Sequence, residues 1–260
     1  MARQPEGPPP PPVVQRVRLR YAKRGRLRFT SHRDIARAFE RALRRARVPM
    51  AYSAGFNPHP RVSWLGASPT GVASEAEYVE LALAERVEPD ALRAAIDAAL
   101  PPGLDILEVV EAGAGSLAER IDASSWRIEL PGVPGEALAA AVEAFRAASE
   151  VPVERLTKNG RRSLDARGPV VRAEVVRDDL GALRTESAEP CAILDLVVQH
   201  VTPAVRPDDV LNGLRVVADL VPPMPPRATR LEQGALTAEG RLTDPLAADR
   251  DRGVTGVPPS

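Results

Sequence analysis

His32 and His59 are the two side chains of this sequence most suited to moving protons, because an imidazole takes up and returns a proton near neutral pH. As a pair they predict the acid and base of a metal-independent RNA cleavage, on the condition that the fold brings them together. Arg33, Arg37, Arg41, Arg44 and Arg45 follow at steps mostly of three or four residues, a spacing that stacks cations along one side of a helix and suits contact with phosphates. Asn57, His59 and Arg61 lie in "GFNPHPR", where a polar donor, an imidazole and a guanidinium sit within five residues. Farther on, "TKNGRRSLDAR" gathers Lys158, Arg161, Arg162 and Arg167 about an Asn-Gly turn and predicts a second phosphate grip.

The elements that must hold these groups follow from periodicity. "VVQRVRLRY" alternates Arg16, Arg18 and Arg20 with Val17, Leu19 and Tyr21, the period-two pattern of a half-buried strand. In "SHRD", Ser31 is placed to cap a helix, and Asp34 completes an acidic variant of the capping box. Ile35, Phe39, Ala42, Leu43 and Ala46 then form one apolar face, with the arginines on the others. His32 therefore stands at a helix N-terminus, where partial positive charge disfavours an imidazolium and favours a bound anion. Gly55 permits positive φ, while Pro58 and Pro60 fix their own φ and push Asn57 and His59 towards extended geometry, so "GFNPHPR" reads as a stiff presenting loop. Tyr52, Phe56 and Trp64 are expected in the core beneath it.

After this loop the chain reads strand ("EYVELALA"), helix ("EPDALRAAIDAAL") and strand ("LDILEVVEA"), completing a β-α-β-β-α-β order. The order starts again at "SSWRIELPG" and ends at "ATRLEQGAL", with residues 167–190 an insertion or an additional strand. The expected fold is α+β, with two ferredoxin-like halves in tandem: a Pro-rich leader over 1–12, a first domain over 13–112, a linker over 113–122, a second domain over 123–237 and a disordered tail over 238–260.

Charge is segregated along the chain. The formal net charge is zero, yet residues 16–66 carry fourteen Arg or Lys against Asp34 and Glu40, a net +12 offset by −12 elsewhere. Six of the nine aromatic residues share that stretch, and cations interleaved with aromatics point to nucleic acid. Compositional bias explains why 33 of 35 basic residues are Arg, but not why acids nearly vanish from one quarter of the chain. Cys191 is the sole cysteine, which argues against iron–sulfur clusters and cysteine-rich zinc sites, and His200 at a strand end is expected to be structural. No metal or cofactor is predicted. No apolar run is long enough to span a bilayer and no secretory leader is legible, so the expected location is cytoplasmic.

The blocks "RGRLRFTSHRDIARAFERALRRARVPMAYSAGFNPHPRVSW", "GVASEAEYVEL" and "VERLTKNGRRSLDAR" resemble the radical-SAM-linked protein family, a bacterial domain of unknown function. The resemblance runs from about residue 15 to 235, and it implies a working association with a radical SAM enzyme encoded separately, since no three-cysteine cluster motif is present. It directs functional interest to Ser31, His32, Asp34, Arg37, Glu40, Arg41, Asn57, His59 and Arg61, without assigning a catalytic residue. The expectation is an accessory protein, not itself an enzyme, that binds an RNA substrate through the basic helix and the Pro-rich loop. A nuclease using His32 and His59, and a scaffold whose basic helix docks on an acidic protein, are the alternatives.

Overall fold

The computed structural model describes residues 11–157, 160–176 and 190–254 of a mixed α and β protein with five α-helices among them. None of these helices is long and apolar enough to cross a membrane. The chain divides into two compact units: residues 1–118 with 245–260, and residues 119–244.

The first unit runs β1 (Gln15–Lys23), α1 (His32–Arg45), β2 (Val62–Leu65), β3 (Ala73–Leu83), α2 (Pro89–Ala99) and β4 (Leu104–Glu111). Its strands pair antiparallel in the order β4-β1-β3-β2. The apolar face of β1 is as expected, with Val17, Leu19 and Tyr21 buried with Ile35 and Phe39 of α1 and Leu92 and Ile96 of α2. The strand is not half-buried, however, because Gln15, Arg18 and Lys23 are buried as well. Arg16 and Arg18 take the other face and pair with Glu80 of β3 at 3.1 and 3.0 Å. Arg24, just past β1, pairs with both Glu75 and Asp105.

This unit is completed by the far end of the chain. α5 (Ala247–Val254) brings Asp249 onto β1, where it accepts from Arg18 at 2.9 Å and from the Gly113 amide at 3.0 Å, and Arg250 pairs with Glu108. Leu246 is wholly buried. The tail expected to be disordered from residue 238 is therefore folded as far as residue 254, because one acid in it meets a buried arginine 231 positions earlier. Sequence patterning shows no such pairing, since the segment is short and mostly polar. The linker expected over 113–122 contains a 3₁₀ turn at Leu117–Arg120 that buries Leu117. Residues 1–10 of the Pro-rich leader lie outside the described residues.

The second unit runs β5 (Ala123–Pro131), α3 (Gly135–Ala147), β6 (Pro152–Thr157), β7 (Gly160–Asp165), β8 (Val170–Val176), β9 (Cys191–Gln199), α4 (Pro207–Ala218) and β10 (Arg227–Gly234). Its main sheet has the order β10-β5-β9-β8, and β6 pairs with β7 as a separate hairpin. If the hairpin is set aside, the order last, first, third, second is that of the first unit. The additional strand within 167–190 is β8, in antiparallel register with β9 from Val170↔Val198 to Val176↔Ile193. Arg155 of the hairpin forms a two-pronged pair with Asp209 of α4, which ties the hairpin to the unit.

Candidate functional site

α1 begins where the sequence places it. Ser31 is extended, its Oγ accepts the Asp34 amide at 3.3 Å, and the hydroxyl donates to Asp34 Oδ2 at 2.7 Å. The bond back from Asp34 thus runs to the serine hydroxyl. Ile35, Ala38, Phe39, Ala42 and Leu43 are buried, and Phe39 meets the rings of Tyr21 and Trp64 edge-on at 4.8 and 5.1 Å. That packing leaves the opposite side of the helix to solvent. At 3.6 residues per turn, the five arginines fall within an arc of roughly 120° over a rise of about 18 Å.

All five are exposed. Arg37 reaches Asp34 at 3.4 Å, Arg44 donates to the Glu40 carbonyl at 3.2 Å, and Arg45 donates to the Ala99 carbonyl at 3.3 Å. Among the described residues Arg33 and Arg41 have no acidic partner. Three like-charged pairs four residues apart (33/37, 37/41 and 41/45) each destabilise the helix by about 0.2–0.5 kcal/mol, a repulsion that a bound polyanion offsets. Arg16 and Arg18 of β1, by contrast, are matched to acids within their own unit, while Arg20 buries its Nε without a hydrogen-bond partner among the described residues.

The helix ends on a Schellman motif. Arg47, at φ 52°, donates to the Arg44 carbonyl, and Val48 donates to the Leu43 carbonyl at 3.0 Å, which sets the Val48 side chain beside Leu43. Leu43, Val48 and Met50 become the apolar floor of a cavity of about 200 Å³. Glu40 and Arg44 line it from the helix, and Tyr52 and His59 from the loop.

The loop is held by its own backbone. The Ser53 amide donates to the His59 carbonyl at 2.9 Å, the His59 amide donates to Ser53 Oγ at 3.1 Å, and the Arg61 amide donates to the Ala51 carbonyl at 2.8 Å. Gly55 at φ 131° closes the bend, a conformation that side chains rarely adopt. Pro58 and Pro60 also border the cavity, while Asn57 and Arg61 are exposed. Trp64 is partly buried in the core as expected, but Phe56 is 76% exposed and Tyr52 39% exposed. The loop is closed on itself by the Ser53–His59 bonds, and these two rings stay outside the core. Phe29, 68% exposed with the Arg28 guanidinium 5.6 Å from its ring centre, adds a third solvent-facing ring just before the helix cap.

The two histidines are not brought together as a catalytic pair. His59 lies with Glu40 and Arg44, whereas His32 sets its ring edge-on to Trp64 at 5.2 Å, about 12 Å of helix rise before Glu40.

In the second unit, Arg161 pairs with Glu154 at 3.1 Å, Arg162 is exposed, and Lys158 lies outside the described residues. Arg167 is spoken for: it donates to the carbonyls of Val170 and Arg146 and lies over the Phe145 ring. His200 Nε2 is 2.7 Å from Ser124 Oγ; burial, then the nearby Arg230 charge, lower its pKa despite Asp122. That is the environment of a structural imidazole.

Residues 16–207 match the family described as an uncharacterized protein conserved in bacteria, DUF2344. The chain belongs to this family. The DUF2344 match contains α1, the loop and the cavity whole and ends at the first residue of α4, so α5 lies beyond it. Comparison with curated proteins gives no match.

Proposed function

We propose that this DUF2344 protein is a non-enzymatic RNA-binding component that presents an RNA substrate to a separately encoded radical SAM enzyme in the cytoplasm. The reading rests on one contrast: Arg16, Arg18 and Arg24 are paired to acids, whereas the arginines of α1 face solvent with, among the described residues, a single carboxylate contact. Exposed Phe29, two residues before the cap of α1, and Phe56, in the loop after it, offer rings on which unpaired bases stack. The partner enzyme rests on the resemblance of the first block of sequence. The common strand order of the two units supports a tandem ferredoxin-like arrangement, with β6 and β7 inserted into the second copy.

Salt-titrated binding to total cellular RNA tests the reading. Each phosphate contact on a single strand adds about 0.7 to the slope of log affinity against log salt, so the triple variant Arg37→Ala, Arg41→Ala, Arg44→Ala is expected to flatten that slope by about 2. Retained binding with an unchanged slope would move the RNA surface away from α1. Absence of binding by the unaltered protein would remove the RNA reading and leave an acidic protein as the partner of the helix.

A further inference from the structure

The cavity between the end of α1 and the loop is chemically more selective than the arginine surface beside it. Its volume of about 200 Å³ is below the roughly 300–1,000 Å³ of sites that enclose drug-sized ligands, and it suits a single heterocyclic ring system. The floor of Leu43 and Val48 is apolar, Tyr52 gives a partly exposed ring for stacking, and Glu40 contributes the one carboxylate. Arg44 is tethered through Nε to the Glu40 carbonyl, so its two Nη groups are left to meet an anion at the mouth.

A carboxylate accepts hydrogen bonds and donates none. Among the four RNA bases, only guanine sets two N–H donors side by side on its Watson–Crick edge, N1–H and N2–H. Cytosine and adenine each put a ring nitrogen acceptor next to their amino group, which a carboxylate repels, and uracil flanks its one N–H with carbonyl oxygens. We infer that this cavity receives one unstacked guanine of a bound RNA, with Glu40 reading its N1–H and N2–H, Tyr52 stacking on the base and Arg44 holding the adjoining phosphate. The inference rests on the RNA reading of α1 and adds to it a base identity. The Pro-fixed loop keeps Tyr52 and His59 in position before the base arrives, so little order is lost on binding.

Two probes test it separately from the RNA reading: uridine 12-mers with one internal guanosine or one adenosine, and guanosine 5′-monophosphate alone, titrated by fluorescence or NMR. The guanosine oligomer is expected to bind at least about tenfold tighter than the adenosine oligomer, and Glu40→Gln should bring the ratio close to one. Tyr52→Leu should weaken the guanosine oligomer more than the adenosine oligomer. Arg33→Ala with Arg37→Ala should weaken both oligomers and preserve the ratio. Salt-dependent binding of both oligomers with equal affinity would overturn the guanine site and leave the RNA surface standing. Failure of both oligomers to bind would overturn the RNA reading, and failure of the monophosphate as well would overturn the site with it. Glu40 is exposed on the helix, so its substitution leaves the core intact.

Discussion

α1 and α3 are each the first α-helix after the first strand of their unit, and each buries one phenylalanine completely, Phe39 and Phe145. Their exposed sides differ. α1 shows five arginines with His32, Asp34 and Glu40, while α3 shows four alanines and Gly135 with Glu136, Glu143 and Arg146. α1 is capped by a serine hydroxyl and α3 starts behind Pro134 with no side-chain cap. The buried halves of these helices answer to the sheet beneath them and the exposed halves do not. A shared order of the main sheet strands therefore leaves one helix free to become a charged surface while its counterpart stays plain.

Removing the buried ring should erase that difference. Phe39→Ala and Phe145→Ala are each expected to cost about 3–5 kcal/mol, read from chemical denaturation, because both delete a fully enclosed ring. A cost at Phe39 far below that at Phe145 would mean that α1 is held mainly by something other than its core face. The caps sharpen the contrast at a smaller scale. Ser31→Ala should lower stability by about 1 kcal/mol, with no equivalent site in α3, since it strips the hydroxyl that accepts the Asp34 amide.

The last contrast belongs to the second unit and changes only in acid. Burial works against the Asp165 carboxylate, but the amides of Val151, Arg167 and Gly168, with the Arg167 charge, outweigh it and hold its pKa below the ordinary carboxylate value. A group with a depressed folded pKa stabilises fully above its unfolded pKa, about 3.9, and loses that contribution as pH falls through the folded value. The stability gap between the unaltered protein and Asp165→Asn should thus be constant from about pH 8 to 5 and narrow below about pH 4. A gap that held its size in acid would show that the carboxylate charge is not what these amides hold.

Much of the frame was legible in the sequence because it depends on local periodicity. The apolar face of β1, the Ser31 cap and the arginine stripe are each decided within about a dozen residues. The cavity was not, because its floor is made by a left-handed Arg47 that folds Val48 back onto Leu43, and arginine carries no sign of that conformation. Phe56 and Tyr52 are misread for a related reason: apolar rings predict burial, whereas here they sit in or beside a loop that closes on itself through Ser53 and His59 and leaves them exposed. The separate surroundings of His32 and His59 were also out of reach, since they depend on where the loop meets the helix.

Asp249 gives the first unit a schedule. Arg18 emerges early in synthesis, yet the acid that meets its Nη1 is made 231 residues later, a delay of roughly 10–45 s at bacterial-range elongation rates. Until then Glu80 is the only one of its two carboxylate partners on hand, so the second unit, complete by residue 244, has every residue it needs before the first one does.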